Sequence, residues 1–473
     1  MMSSYNKNLS KYQVKLSEKI QKTFQKKIKS SILNEIIRIE VQIDNNVEPL
    51  QWLLQQKSNS KTYWSDREHR FEMAGVGEAD IEFSQSLIEY SNFFDRLNSR
   101  LSSSYKHLRY YGGISFNQSS GRDRNWHHFG NYRFVVPKFE IYVENQEAYL
   151  ACNFLLKDSQ NYQLQMNQIL FELNSLVFNQ PVHTIFFPTL LCRKDLPNEI
   201  VWYKNVNIAL TSFEQEDFKK MVLSRKSMFE FSEEIEPLSL LLLLKRNNPH
   251  LFHFCFQPSL GNAFIGGSPE RLYKRIGRSL QTEAVAGTRP RSNSIEEDQN
   301  LEQELLTSEK DIREHQLVAE YLRNVLQHLC HSIEKQRKPV LLKLNKVQHL
   351  YTPYTGILLD KFSDANILAE LNPTPAVGGY PREKALMVIN ELEAFDRGWY
   401  SAPVGWIGHN AAEFVVAIRS GLVNNNQLSL FSGAGIVQGS KPEDEWQEIE
   451  NKIGGFLDII NYLISVQKTV VAS

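Results

Sequence analysis

The sequence predicts an α+β fold. Segments with the two-residue period of strands and segments with the longer period of helices are interspersed, without the regular alternation of a doubly wound sheet. Apolar residues make up 42% of the 473 residues and aromatic residues 11%, which is enough for a large buried core and excludes a disordered chain. No internal repeat or low-complexity tract interrupts the pattern. We therefore expect a folded protein that mixes strands and helices along its length.

The overall charge and the cysteines exclude several classes of protein. The 53 basic and 54 acidic side chains give a net charge of −1, so no general field attracts nucleic acid or an anionic membrane surface. No apolar run approaches the ~18 residues of a membrane span. The four cysteines are far apart and have no paired spacing, which is typical of buried thiols in a reducing compartment. The sequence thus predicts a soluble, cytoplasmic protein without a nucleic-acid partner or a membrane span.

Residues 1–32 form a basic N-terminal extension. The first 30 residues contain eight lysines, one glutamate and no arginine. A transit peptide would be richer in arginine, and a signal peptide would contain a continuous apolar segment. We expect instead a basic helix that lies on the domain or is partly frayed. Its apolar stripe would consist of Tyr12, Leu16, Ile20, Phe24 and Ile28.

The rest of the chain divides into residues 33–213, the first half of the α+β unit, and residues 214–466, which contain the chemical motifs. The segments of the first half are assigned by period and turn residues. They are a strand at 36–43, a helix at 81–101, strands joined by turns at 112–137, a strand pair at 139–156, a helix at 160–178 and a connecting region at 181–213.

Carboxylates occur on one face of each of two helices in the second half. They are Glu445 and Glu448, with Lys452, on a predicted helix 441–466, and Asp311 and Glu314 on a helix that begins near Ser308. Two such pairs could converge on a hard divalent cation, and Mg²⁺ needs only one or two carboxylates because it keeps several waters. The alternative is two solvated faces with ion pairs, which is the commoner outcome for this spacing. Spacing alone leaves both interpretations open.

Three further charged residues lie at the ends of apolar, strand-like segments. Glu270 follows the turn Gly266-Gly267-Ser268-Pro269, where partial burial would raise the pKa of its carboxyl group. Lys220 precedes an apolar run, and a lysine that enters a buried strand can act as a base. Arg419 ends another such run and could bind a carboxylate. Each of these, taken alone, is also compatible with an ordinary structural residue.

The order of these motifs resembles that of the chorismate-utilising enzymes, which include anthranilate synthase large subunits and aminodeoxychorismate, salicylate and isochorismate synthases. The resemblance covers essentially all of residues 214–466 and rests on eight motifs in order. They are Lys220–Arg225, Gly267–Leu272, Thr282–Arg291, Ser308–His315, Asn372–Gly379, Arg397–Tyr400, Val416–Ser420, and Gly433–Ile436 through Glu448–Lys452. The resemblance implies a single large α+β unit with two β-sheets in a core flanked by helices.

Three positions distinguish the activities within this family. Lys220 lies where members that add water carry a lysine general base, whereas ammonia-using anthranilate enzymes carry glutamine. Ala286 replaces the nucleophilic lysine of aminodeoxychorismate synthases. Ala376 replaces a threonine of members that expel pyruvate. The resemblance therefore implies isochorismate synthase activity, a reversible, Mg²⁺-dependent exchange of hydroxyl groups on chorismate, with Lys220 as base and Glu270 as acid.

The resemblance also implies the binding residues. Those expected at the substrate are Arg419, Tyr400, Gly435, Lys452, Ala376, Gly287 and Thr288, and those expected at Mg²⁺ are Glu314 and Glu448, with Asp311 and Glu445 behind them or acting through water. Two residues depart from the family pattern. Asn372 replaces a common histidine, and Ala402 replaces a common glycine.

Three other functions remain as alternatives. The nearest is a salicylate synthase, which Ala376 disfavours. An anthranilate synthase with an amidotransferase partner is disfavoured by Lys220, so no obligatory amidotransferase subunit is expected. A catalytically inactive chorismate-binding module would bind the substrate without turning it over. Family habit implies a monomer, and quinone biosynthesis is the expected use of the product.

Overall fold

The protein is described by a computed structural model that covers residues 2–27, 35–117, 123–156, 161–178, 187–215, 219–336, 338–344 and 347–471. The predicted stripe residue Ile28 and the boundary between residues 32 and 33 lie outside these ranges. Among the described residues, no helix is both long enough and apolar enough to cross a membrane.

Helices and strands are mixed along the whole described chain. The helices are α1 (Met2–Lys27), α2 (Pro49–Gln55), α3 (Tyr90–Arg100), α4 (Tyr162–Ser175), α5 (Glu199–Gln215), α6 (Pro237–Asn247), α7 (Ile295–Thr307), α8 (Glu309–Leu329), α9 (Asp364–Leu371), α10 (Arg382–Leu392) and α11 (Pro442–Val471). The strands of the first half are β1 (Ile36–Ile43), β2 (Lys61–Ser65), β3 (Phe71–Val76), β4 (Asp80–Ser84), β5 (Arg109–Ile114), β6 (Tyr132–Val136), β7 (Phe139–Glu144), β8 (Glu147–Leu155) and β9 (Leu190–Leu196). Those of the second half are β10 (Lys220–Phe231), β11 (Phe252–Ser259), β12 (Asn262–Ser268), β13 (Arg271–Ile276), β14 (Ser279–Pro290), β15 (Cys330–Lys335), β16 (Val340–Lys343), β17 (Val347–Leu358), β18 (Gly379–Tyr380), β19 (Pro403–Gly408), β20 (Ala411–Val416), β21 (Ser420–Asn424) and β22 (Gln427–Ile436).

The described strands form two antiparallel sheets, which confirms the predicted α+β class and the two-sheet core. The first sheet has the order β1-β8-β7-β3-β2-β11-β12-β21-β22-β10-β18, and β9 pairs with β10. The second has the order β15-β17-β14-β13-β20-β19-β5-β6-β4, and β16 pairs with β17. Each sheet combines strands from both halves of the chain, joined at β2–β11 and β9–β10 in the first sheet and at β5–β19 in the second.

An aromatic layer joins the two sheets. Buried rings from β2, β11 and β12 of the first sheet pack in one cluster with side chains from β5, β19 and β20 of the second. Trp126 lies between them, with its ring centroid 5.3 Å from that of Phe264, and Phe129 lies 5.2 Å from Trp399. Rings of this size bury a large apolar area, so this layer holds the sheets face to face.

The N-terminal helix lies on the first sheet. This is one of the two alternatives predicted for it, a helix on the domain rather than a partly frayed one. Leu16, Ile20 and Phe24 are at most 2% exposed and belong to the same apolar cluster as β1 and β8. The ring of Phe24 stacks on Phe154 at a centroid distance of 4.8 Å. The lysines at 11, 15, 19, 22 and 26 are exposed, so the helix is basic on its outer face.

Two predictions of secondary structure were wrong. Residues 81–101 contain strand β4 before helix α3, because Ile81 and Phe83 alternate with inward-facing residues along a strand that pairs with β6. Residues 181–213, predicted as a connection, include β9 and α5. Trp202, Val206 and Ala209 have a helical spacing and are buried, but exposed apolar neighbours on the same helix obscured the period.

Candidate active site

One cavity of about 240 Å³ contains most of the residues that the sequence singled out. Its walls come from β10, β14, β22, α8 and α11, together with the loops that carry Glu270, Ala376 and Arg419. The predicted residues that line it are Lys220, Glu270, Gly287, Thr288, Asp311, Glu314, Ala376, Tyr400, Arg419, Gly435, Glu448 and Lys452. Glu445, the remaining predicted residue, is buried behind this surface and is not part of the cavity lining.

Lys220 is the first residue of β10 and points into the cavity. Its side chain is 1% exposed, and its Nζ donates a hydrogen bond of 2.7 Å to Oε1 of Glu314 on α8. The neighbouring strand β22 supplies Gly435. A Cβ atom there would lie 2.8 Å from Cε of Lys220 and 2.9 Å from Oε1 of Glu314. The glycine therefore lets the strand come close enough for the lysine and the glutamate to meet.

Glu270 lies at the end of the turn between β12 and β13 and is 5% exposed. Burial, with a smaller contribution from the nearby carboxylate of Glu283, raises the pKa of Glu270 to about 8. The positive charges of Lys220 and Lys452 oppose this shift without cancelling it. Glu270 is thus protonated at neutral pH and can donate a proton into the cavity, as the sequence predicted for a general acid.

A cationic wall stands on the α11 side of the cavity. Nζ of Lys452 donates to the carbonyl of Gly433 at 2.8 Å and contacts Oε1 of Glu448 at 2.6 Å. The guanidinium of Arg419 donates to the carbonyl of Lys452 at 2.9 Å, and burial lowers the pKa of Arg419. Arg419 has a φ of 53°, an uncommon conformation for a residue with a side chain and one that often marks functional sites.

Tyr400 lines the same cavity as Arg419 and Lys452. Its ring stacks on Phe431 at a centroid distance of 5.2 Å and an interplanar angle of 17°. A Cβ built on Gly433 would lie 3.1 Å from the Tyr400 hydroxyl, so this glycine also allows a close approach. Arg419, Lys452 and the hydroxyl of Tyr400 together offer donors suited to the carboxylates of a small anionic substrate.

His349 is a cavity residue that the sequence analysis missed. Its Nδ1 lies 3.0 Å from Oγ1 of Thr288 and 3.2 Å from the carbonyl oxygen of Gly287. Burial lowers the pKa of His349 to about 3, so the ring is neutral and orients the Thr288 hydroxyl. An irregularity in the β14–β17 register between Ala286 and Thr288 brings these groups together. No local motif surrounds His349, and only the strand pairing could have revealed it.

The four predicted metal ligands each contact a basic side chain. Their contacts are Glu314 with Lys220 at 2.7 Å, Glu448 with Lys452 at 2.6 Å, Asp311 with Arg289 at 2.9 Å, and Glu445 with Lys310 at 3.1 Å. Within the described ranges, no group of three or more histidine, cysteine or acidic side chains is arranged to hold a metal ion. Asp311 lines the cavity together with Glu314 and Glu448, whereas Glu445 does not line it.

Glu314 and Glu448 nevertheless fit a magnesium site. Both line the cavity, on helices α8 and α11, and the charges of both act on Lys452. Oxygen donors of this kind are those that Mg²⁺ prefers, and the ion needs only one or two carboxylates besides water. The two carboxylates therefore suit Mg²⁺. Lys220 and Lys452 would compete with the ion for them, since each lysine contacts one of the carboxylates.

The positions that distinguish activities or depart from the family pattern lie in different surroundings. Ala286 and Ala376 both line the cavity. Position 286 therefore offers no lysine amine to the cavity, and position 376 offers no threonine hydroxyl. Ala402 is completely buried in an apolar cluster. Asn372 follows α9, and its amide lies 3.5 Å from the hydroxyl of Tyr90, away from the cavity lining.

Comparison with known proteins agrees with this geometry. The family described as "Chorismate binding enzyme" matches residues 19–461. Isochorismate synthase 2, chloroplastic, of Arabidopsis thaliana is 31% identical over 462 residues, which cover 91% of this chain and 82% of that protein. Isochorismate synthase MenF of Bacillus subtilis is 31% identical over 464 residues, which cover 92% of this chain and 97% of that protein.

Solved structures show the same fold. The menaquinone-specific isochorismate synthase MenF of Escherichia coli is 28% identical with a TM-score of 0.81, over 94% of this chain and 98% of that one. Anthranilate synthase component I of Streptococcus pneumoniae is 21% identical with a TM-score of 0.66, over 82% of this chain and 92% of that one, and supports the fold alone. The resemblance seen in the motifs is confirmed, and the chain belongs to the chorismate-binding enzymes.

Proposed function

We propose that this enzyme is an isochorismate synthase. The observation that carries the proposal is that Lys220 and a protonated Glu270 line one cavity, beside a wall formed by Arg419, Lys452 and Tyr400. Chorismate is a dianion with a planar face for attack, and this cavity offers one candidate base, one acid and cationic donors for two carboxylates. The relatives named as isochorismate synthases support the same reaction.

The reaction needs one proton to be taken and one to be given. Lys220, in its neutral form, accepts a proton from the water whose oxygen forms a bond to C2 of the ring. The ring double bonds shift, the C4–oxygen bond breaks, and Glu270 gives its proton to the departing hydroxyl, which leaves as water. No covalent intermediate is needed, and each positioned acid or base typically gains ~10²–10⁴ in rate. Because one hydroxyl replaces another, the reaction should run in both directions.

Mg²⁺ is the proposed cofactor. Glu314 and Glu448 would hold it, while Asp311 and Glu445 act from behind or through water. When bound, the ion neutralises carboxylate charge on the substrate and fixes its orientation. Arg419, Lys452, Tyr400 and the backbone N–H of Gly435 would hold the carboxylates, and Gly287, Thr288 and Ala376 would line the rest of the ring.

Two related activities are less well supported. Ala376 lines the cavity without a hydroxyl group, which disfavours a salicylate synthase that goes on to expel pyruvate. Lys220 stands where the ammonia-using members of the family carry glutamine, which disfavours ammonia as the nucleophile. A relative named "Salicylate biosynthesis isochorismate synthase" from Pseudomonas aeruginosa is 34% identical over 357 residues, so formation of isochorismate for a salicylate route is compatible with the same site.

The wider setting is also a proposal. We infer that the enzyme acts as a cytoplasmic monomer without an amidotransferase subunit and that its product serves menaquinone or phylloquinone synthesis. The support for the quinone route is the resemblance to enzymes whose names place them in menaquinone synthesis or in the chloroplast.

Product identification tests the proposal. The purified protein is incubated with chorismate and Mg²⁺, and the products are separated by chromatography and identified by NMR. We expect isochorismate, approached from both directions, and loss of turnover with EDTA that added Mg²⁺ restores. Accumulation of fluorescent salicylate, or of anthranilate when ammonium is supplied, would replace this assignment. Tight binding of chorismate without any product would instead indicate an inactive binding module.

A further inference from the structure

A buried ion pair forms hydrogen bonds with the backbone on both sides of Glu270. Arg67, in the turn between β2 and β3, donates to both carboxylate oxygens of Glu283 on β14, at 2.7 and 2.6 Å. The same guanidinium donates to the carbonyl of Pro269 at 2.6 Å. The carboxylate of Glu283 accepts the backbone N–H of Arg271 at 2.8 Å. Both neighbours of Glu270 are therefore bound by the two members of one ion pair.

This pair is fixed by its surroundings. Glu283 is 2% exposed at its side chain and also accepts a hydrogen bond of 3.2 Å from the hydroxyl of Tyr351. The guanidinium of Arg67 lies 5.1 Å from the centre of the Phe252 ring. A buried carboxylate that accepts several hydrogen bonds is held in one position, so the carboxylate of Glu283 is fixed near the acid.

We propose that Glu283 and Arg67 are positioning residues for the general acid, because together they hold both peptide groups beside Glu270 and so fix the turn that carries it. This inference rests on the proposed function, because it concerns the proton that Glu270 donates. Neither residue lines the cavity, so both act through Glu270 and do not touch the substrate. Their effect on its pKa has the expected sign, since Glu283 is the second cause, after burial, of the upward shift.

Other charges also face Glu270 and set the background for the test. Lys220 on β10 and Lys452 on α11 lower its pKa. The guanidinium of Arg67 places a further positive charge 2.6 Å from the carbonyl oxygen of Pro269. Further charged or titratable groups surround the cavity or the ion pair and are unchanged by the variants used below. They are Arg289, Lys310, Asp311, Glu314, His349, Arg419, Glu448, Arg271 and Glu413. Glu68, which pairs with Arg271, is changed only in the control variant.

The test is the pH dependence of kcat and kcat/KM for chorismate in the Mg²⁺-loaded enzyme. Activity falls at high pH as Glu270 loses its proton, and this fall is the basic limb of the pH profile. Glu283→Gln removes the negative charge, so the basic limb should move to lower pH by roughly one unit. Glu283→Asp keeps the charge and should keep the limb near its wild-type position while lowering kcat. Glu68→Gln is the matched control, because Glu68 pairs with Arg271 at 2.7 Å and with Nε of Arg67 at 3.3 Å but contacts neither Glu283 nor the peptide groups beside Glu270. Its profile should superimpose on that of the wild type.

Arg67→Gln gives an independent arm if Glu283→Gln does not fold. It leaves the charge of Glu283 less compensated, so the same limb should move to higher pH, in the opposite direction. Profiles of Glu283→Gln and Arg67→Gln that superimpose on the wild type, or that both move downward, would overturn the inference. A wild-type enzyme that makes no isochorismate would overturn the proposed function instead, so the two failures are distinguishable.

Discussion

Nζ of Lys220 lies 2.7 Å from Oε1 of Glu314, although 94 residues separate the two in the sequence. The contact connects the first residue of β10 to the face of α8 that lines the cavity. Gly435 lies beside both groups, so the candidate base and a candidate metal ligand meet next to a residue without a side chain.

Replacing Lys220 with alanine should abolish turnover, because no other cavity group is proposed as the base. We expect a loss of ~10²–10⁴ in kcat, the usual contribution of a positioned base, with an unchanged circular dichroism spectrum. Lys219→Ala is the matched control. Lys219 is the residue before Lys220 and is exposed, so this variant should retain activity. Near-full activity of Lys220→Ala would show that the base is another group.

Gly435→Ala should inactivate the enzyme without unfolding it. The added methyl would lie 2.8 Å from Cε of Lys220 and 2.9 Å from Oε1 of Glu314, so the two side chains must separate. Gly455→Ala on α11 is the control, because a Cβ there would meet no described atom within 4 Å. In mid-helix this change should stabilise the protein by up to about 1 kcal/mol. Equal activities of the two variants, measured alongside thermal unfolding, would contradict the geometry.

Glu270→Gln should abolish turnover and alter the pH dependence of stability. The pKa of Glu270 rises from 4.5 to about 8 on folding, so the folded state holds a proton that the unfolded state releases. Wild-type stability therefore falls as pH rises from 4.5 to about 8, and the glutamine variant lacks this loss. We expect the Tm of the variant to exceed that of the wild type at pH 8 but not at pH 4. A Tm difference independent of pH would show that Glu270 keeps its ordinary pKa.

Glu448→Ala should weaken Mg²⁺ dependence and substrate binding together. The variant removes one of the two proposed ligands and also frees Lys452, which contacts Glu448 at 2.6 Å. Titration of activity with Mg²⁺ should therefore require a higher concentration, with a raised KM for chorismate. Glu443→Ala, at an exposed position on the first turn of the same helix, should leave both unchanged. An unaltered magnesium titration in Glu448→Ala would remove Glu448 from the ligand set.

Arg225→Met should destabilise the protein and loosen α11. The guanidinium of Arg225 is fully buried and binds Glu450 at 2.6 Å, on the side of α11 that faces β9 and β10. Glu450 keeps its contacts with Arg193 at 2.7 and 2.8 Å, so the variant loses one ion pair without leaving Glu450 unpartnered, and the expected cost is about 1–2 kcal/mol. Denaturant unfolding should show this loss. Glu450→Gln should cost less in the Arg225→Met background than in the wild type, and equal costs in the two backgrounds would contradict the pairing.

The sequence allowed prediction of the fold class, the two-sheet core and a shared location for Lys220 and Glu270, because these depend on period and on ordered motifs. It did not reveal His349, Arg67 or Glu283, whose partners are set by strand pairing and by a turn about 200 residues away. Helix α5 was missed for a different reason. Its buried residues have the correct spacing, but Ile200 and Ile208 remain exposed and hide the apolar face.

The pairing of β2 with β11 has a practical consequence for anyone who shortens this protein. A fragment that starts at residue 214 would keep every cavity residue yet expose the edge of β11, where an unpaired strand invites aggregation. It would also lack the guanidinium that anchors the Pro269 carbonyl. Activity should therefore be lost on truncation even though no cavity-lining residue has been deleted.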